Sequence, residues 1–235
     1  MRKSGRDKDQ LREIIVTPGF VKNVPGSALI QQGDTRVVCA ATFDTKVPHF
    51  LKNGNKGWVQ AEYSMMPGST GNDRIQRERQ RINNRHIEIQ RFIGRSFRTM
   101  FDLQRIQGVT ITIDTDVLEA DGGTRCASIN GGVVALVKCL RKMVYESIIP
   151  DIPRMKLIAA VSIGILKNEI LADLDYKEDF EADADINIVS TEHEEIVEIQ
   201  AFAEESTIPK SLFNQVIEIG VKKNLEIIDI LKKHV

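Results

Sequence analysis

The sequence predicts an α+β layered fold built from two similar halves, each a sheet plus helices. Three observations carry that reading. Short segments with period-two alternation of apolar and polar residues recur along both halves, as in Val109-Thr110-Ile111-Thr112-Ile113-Asp114, which marks half-buried strands. Each run of such segments leads into a stretch with helical spacing of apolar residues. No linker or low-complexity tract divides the 235 residues, so a single domain over 1–235 is expected.

The elements follow in order. Residues 14–43 look strand-rich: Ala28-Leu29-Ile30-Gln31 and Val37-Val38-Cys39-Ala40-Ala41 flank Gln32-Gly33-Asp34, a hairpin signal. Residues 46–57 are a loop rich in Pro, Gly and Asn, and Trp58 to Tyr63 resumes an extended pattern. Residues 67–84 lack periodicity and are expected as a mobile loop with short helical pieces. From about His86, Ile89, Ile93, Phe97, Met100 and Phe101 form the stripe of an amphipathic helix expected to end near Gln107-Gly108. A further helix begins near Thr124 and runs to about 147, and Ile149 to Pro153 breaks it. Strands are expected at about 157–166, 169–174, 184–191 and 195–202. A last helix starts near Lys210 with Pro209 at its first turn.

Composition is that of a soluble globular chain, 42% hydrophobic and 28% charged with net charge -1. No apolar run reaches the roughly eighteen residues of a membrane span. The charged start MRKSGRDKDQLRE does not read as a signal peptide. Cys39, Cys126 and Cys139 form an odd, widely spaced set, which suggests a reduced, cytoplasmic protein without disulfides or a zinc site. Charge is nevertheless segregated: Asp73–Arg105 carries nine arginines against four acids, and Glu169–Glu205 fourteen acids against one lysine.

Three constellations have chemical content. In EADGGTRCASING, Glu119 to Gly131, two glycines permit a sharp turn and close backbone approach where a helix begins. Thr124 adds a hydroxyl and Arg125 a fork of donors, so the turn reads as a phosphate cradle; a tight strand-to-helix turn with a surface arginine is the alternative. In Ala182–Ile188, alternation places Asp183, Asp185 and Asn187 on one face. Clustered carboxylates there suggest a divalent cation or a general acid, or a solvated acidic edge. Arg74, Arg77, Arg79, Arg81 and Arg85 form a basic arm suited to a flexible polyanion such as RNA. Arg91, Arg95 and Arg98 share one helix face and read instead as interface or salt-bridge residues. Cys126 reads as a packed thiol rather than a nucleophile, and the four histidines show no metal-ligand spacing.

In order and spacing, GWVQAEYSMMPGST, HIEIQRFIGRSFRTMFDL, IDTDVLEADGGTRCASINGG and LDYKEDFEADADIN closely resemble the ribonuclease PH family over essentially the whole chain. The resemblance implies the ribonuclease PH-type, ribosomal protein S5 domain 2-like fold of two similar halves, each a mixed sheet plus helices. It also implies a phosphate-dependent 3′ exoribonuclease that trims transfer-RNA precursors, with a non-catalytic scaffold subunit of an exosome-like ring as the alternative. By resemblance, the attacking inorganic phosphate is held by Arg85, Gly123, Thr124 and Arg125. Asp179 and Asp185 are associated with Mg²⁺ (or Mn²⁺) and with protonation of the leaving group, and the assembly is a homohexamer, a trimer of dimers. Two departures stand out: Gly68 replaces an arginine usual in the family, and Asn84-Arg85-His86 replaces Gly-Arg-Thr.

Overall fold

A computed structural model of the chain describes residues 2, 4–51, 54–71, 74–75, 84–203 and 207–235. The first half builds a five-stranded sheet from β1 (Ile14–Pro18), β2 (Gly26–Gln32), β3 (Thr35–Asp44), β4 (Trp58–Met65) and β5 (Thr110–Glu119), in spatial order β1-β2-β3-β5-β4. The expected hairpin is present: Gln32 pairs with Thr35 across Gly33-Asp34. β4 joins β5 in parallel, because α1 (Asn84–Arg98) forms the crossover between them. The second sheet has the order β7-β6-β8-β9, from β6 (Ile158–Leu166), β7 (Glu169–Ala172), β8 (Ala184–Thr191) and β9 (Ile196–Ala203). All its pairs are antiparallel, so the mixed sheet expected of both halves is realised only in the first.

Burial explains the layering. β5 alternates between buried and half-buried residues, as a sheet covered on one face should. β6, IAAVSIGIL, is buried along nearly its whole length, because helices cover both faces of its sheet. On one face α2 (Thr124–Tyr145) brings Cys126 to Asn187; on the other α4 (Lys210–Leu231) sets Gly220 against Ile188. α2 also packs on β2, β3 and β5, so it is the shared central layer. Its Gly131-Gly132 pair permits that approach: a Cβ on Gly132 would lie 2.3 Å from the Phe97 ring of α1, and one on Gly131 2.8 Å from Cys39 and Ile30.

Two local expectations are corrected. α1 ends at Arg98 rather than near Gln107-Gly108. Lys156 N–H takes the carbonyl of Met100 at 2.7 Å, and Phe101 forms a β-bridge with Met155, so this backbone is committed to a pairing that a helix cannot make. Asp102 then caps a separate 3₁₀ turn, Leu103–Ile106, and the apolar stripe stays buried without staying helical. The second correction is α3 (Tyr176–Glu181), a short helix within the acidic stretch. Its capping box, Asp175 with Glu178, is a legible N-terminal signal. The expected 169–174 strand ends at Ala172 for the same reason, as Asp173 turns the chain at φ +54° toward this helix. The loop expected over 67–84 falls largely on 72–73 and 76–83, outside the described residues.

Candidate active site

The α2 turn is built from the sequence outward. Gly122 and Gly123 both have positive φ, +76° and +65°, the left-handed region where a side chain is strained. A Cβ on Gly122 would also lie 2.7 Å from the carbonyl oxygen of Leu174. Gly123 is the N-cap of α2 and offers no side-chain cap. The first-turn N–H groups therefore lack intrahelical partners and carry the positive end of the dipole. Thr124 Oγ1 lies 2.9 Å from the buried Tyr63 hydroxyl. Arg125 Nη1 donates to Gln200 Oε1 at 2.9 Å.

A buried polar network fixes the turn from behind. Thr35 Oγ1 donates to the carbonyl of Gly122 at 2.7 Å and accepts from Asp121 N at 2.9 Å. Arg12 donates to the carbonyl of Asp121 and, at 2.7 Å, to Asp173 Oδ1. Asp173 is fully buried and also accepts from Arg12 N and Gln32 Nε2. Such a pair offsets its desolvation only through hydrogen bonding; Asp173 accepts three bonds, while Arg12 Nε is buried without a partner. Arg2 and Arg6 of the N-terminal segment reach Glu178 and the carbonyl of Asp173, tying down the entry to α3. None of Arg2, Arg6, Arg12 or Asp173 stands out in the sequence, because their roles depend on partners about 110 to 176 residues away.

The carboxylates line the same cleft as the turn. Asp179 lies on α3 and Asp185 on β8, and both line one open cleft of about 590 Å³ together with Arg85, Gly123, Thr124 and Arg125. Burial pushes the Asp185 carboxyl up to about 6; the Asp179 charge adds to this, while Arg125, Asn187 and Arg85 oppose it. Asp185 Oδ2 accepts from Asn187 Nδ2 at 3.0 Å, and Asn187 Oδ1 in turn accepts from the Cys126 thiol at 3.2 Å. Burial and nearby acids hold that thiol strongly protonated, so Cys126 is packing and support, as the sequence suggested. Asp183 leaves the proposed acidic face: its Oδ2 accepts from Lys167 N at 2.6 Å in the β6–β7 turn.

The donor set fits a divalent cation in part. Among the described residues, Asp185 Oδ1 is buried without a hydrogen-bond partner, an acceptor suited to a cation or a proton. Among the same residues no group of three or more His, Cys, Asp or Glu is arranged as a metal site. Two carboxylates completed by substrate phosphate oxygens and water is the arrangement Mg²⁺ favours.

The basic residues divide. Arg85, on the first turn of α1, lines the cleft, whereas Arg74 is exposed and outside its lining. Arg77, Arg79 and Arg81 lie outside the described residues. Arg95 pairs with Glu198, and Arg98 donates to the carbonyl of Val59 at 2.8 Å while lying 4.4 Å over the Trp58 ring. Arg95 thus forms the expected salt bridge, whereas Arg98 is held by a carbonyl and a ring face. A second cavity of about 660 Å³ near Glu62, Asp114 and Asp116 contains none of the predicted site residues.

Residues 10–141 match the model of the 3′ exoribonuclease family, domain 1, and residues 156–223 that of its domain 2. The chain belongs to this family, ribonuclease PH. It is 45% identical over 231 residues to "Ribonuclease PH" of Dehalococcoides mccartyi, covering 97% of this chain and 96% of that protein. The protein of the same name from Syntrophomonas wolfei is 43% identical over 233 residues, covering 98% and 97%. Among solved structures, the Archaeoglobus fulgidus exosome with RNA bound to the active site superposes with a TM-score of 0.84 at 20% identity, covering 97% of this chain and 91% of that one. Rice Rrp46 gives 0.79 at 19% identity and 98% coverage of both chains. These structures share the ribonuclease PH fold. Among the described residues no helix is long and apolar enough to cross a membrane.

Proposed function

We infer that the chain is a phosphorolytic 3′-to-5′ exoribonuclease acting in transfer-RNA processing, with the α2 turn as the seat of the attacking inorganic phosphate. The observation that carries this reading is the convergence of Arg85, Thr124, Arg125 and the α2 N-terminus with Asp179 and Asp185 in the lining of one cleft. An oxygen of inorganic phosphate attacks the phosphorus of the last internucleotide linkage, and the bond to the 3′ oxygen of the preceding nucleotide breaks. The terminal residue leaves as a nucleoside 5′-diphosphate, and the shortened RNA keeps a 3′ hydroxyl. Phosphoryl transfer depends mainly on positioning and charge stabilisation, which the cradle supplies from fixed donors. Asp185, whose carboxyl takes up a proton near pH 6, is placed to protonate the departing 3′ oxygen.

Asp179 and Asp185 would hold Mg²⁺ or Mn²⁺, whose chemistry here is neutralisation of charge on the reacting phosphates. RNA is led toward the cleft by the arm bearing Arg74, Arg77, Arg79 and Arg81, as a polyanion would be. The exposed rings of Tyr176 and Phe180, 6.4 Å apart on α3 beside Asp179, offer faces on which bases can stack. A homohexameric ring rests on family resemblance, and the exposed Phe20 and Phe50 supply apolar surface for such contacts. The three buried free thiols suit a reducing cytoplasm.

The reading is tested with a 3′-tailed RNA, Mg²⁺ and ³²P-labelled inorganic phosphate. Label is expected in the β position of the released nucleoside diphosphate. Unlabelled nucleoside monophosphates, formed at the same rate without phosphate, would mean hydrolysis and overturn it.

A further inference from the structure

Arg125 is not held by its own helix. Its guanidinium donates through Nη1 to Gln200 Oε1 at 2.9 Å, and Gln200 Nε2 donates to Glu88 Oε1 at 2.7 Å. Gln200 sits on β9, the edge strand of the second sheet, and Glu88 on α1, three residues beyond Arg85. The amide therefore joins both helices that carry the phosphate-facing arginines. A second contact runs beside it: Arg95 of α1 pairs with Glu198 of β9. Residues 88 and 95 share a helix face, and 198 and 200 a strand face, so α1 is fastened to the β9 edge at two points.

We propose that Gln200 is a positioning residue for phosphate: its amide aims the Arg125 guanidinium into the cleft and, through Glu88, locks it to the helix turn bearing Arg85. The proposal rests on the reading that Arg125 holds the attacking phosphate. A guanidinium on a flexible stem loses rotamer freedom on binding an anion, and a partner that fixes it beforehand removes that cost. A neutral acceptor suits the task. The amide oxygen satisfies one N–H of Arg125 without itself carrying charge, and Arg125 lines the cleft. The same amide occupies Glu88 Oε1, and Glu88 Oε2 forms an ion pair with Arg125 Nη1 at 3.9 Å, which attracts the guanidinium toward α1 without a hydrogen bond.

The test is steady-state phosphorolysis by the full-length protein, with inorganic phosphate titrated at saturating RNA and RNA titrated at saturating phosphate. Gln200→Leu should raise the KM for phosphate roughly tenfold, the scale of one lost hydrogen bond to a charged group, and leave the KM for RNA within about twofold. Glu88→Ala should shift the phosphate KM in the same direction, and Glu88→Gln, which keeps the acceptor, should stay close to wild type. Equal losses in phosphate KM, RNA KM and melting temperature for Gln200→Leu would mean a purely structural role and overturn the proposal. An unchanged phosphate KM in Gln200→Leu, with a large rise in Arg125→Ala, would overturn it while leaving the cradle standing. An unchanged phosphate KM in Arg125→Ala as well would overturn both.

Discussion

The two walls of the cleft are made in opposite ways. The phosphate wall is local: Gly122, Gly123, Thr124 and Arg125 are consecutive, and two of them act through backbone conformation. The carboxylate wall is assembled from a distance. Asp185 stands on a strand, Asp179 on a short capped helix, and the arginines that seat that helix come from the first twelve residues. Charge is treated differently as well. The arginine side adds positive charge beside an open cleft, whereas burial destabilises the Asp185 carboxylate until its pKa reaches about 6. On the proposed reading, one set of residues accepts an anion and the other takes a proton or a cation.

Arg125→Ala breaks the first wall most directly. Loss of a preorganised donor typically costs 10²–10³ in rate, and kcat/KM for phosphorolysis should fall by roughly that factor. Asp185→Asn tests the second wall without substrate. Burial lifts the native pKa from 3.8 to about 6, so the folded chain holds this proton more tightly than the unfolded chain. Stability should therefore decline as pH rises from about 4 through 6, by up to about 3 kcal/mol once both states are ionised. Denaturant titrations of the metal-free protein across that range should show a shallower decline in Asp185→Asn.

Gly122→Ala distinguishes backbone from side chain within the phosphate wall. At φ +76°, with a Cβ 2.7 Å from Leu174 O, alanine should cost about 1–3 kcal/mol, seen as a melting point lower by about 2–4 °C per kcal/mol. The smallest effect is expected from Arg77→Ala with Arg79→Ala. RNA affinity should lose roughly 0.7 in log–log salt slope for each phosphate contact removed, and a fluorescence-anisotropy titration against salt reads this directly.

The same contrast governs what the sequence discloses. EADGGTR is legible because the glycines, the helix start and the arginine act where they stand. The β2–β3 hairpin and α4 are legible for the same reason: a turn dipeptide and a helical stripe are local signals. The overlong reading of α1 failed because Met100 and Phe101 keep the apolar spacing while their backbone pairs with Met155 and Lys156, more than fifty residues on. α3 carried a local signal, Asp175 with Glu178, obscured by the density of acids around it. Gln200 and Asp173 carry none, because a lone amide or a lone aspartate takes its meaning from what the fold brings against it.

The central claim is that the α2 turn holds the attacking phosphate in the cleft that Asp185 also lines, and a crystal structure of the protein with inorganic phosphate tests it most directly. The account predicts one phosphate within hydrogen-bond distance of the Thr124 hydroxyl and the Arg125 and Arg85 guanidinium groups. Phosphate bound elsewhere with that turn vacant, in crystals that retain phosphorolytic activity when dissolved, would contradict it.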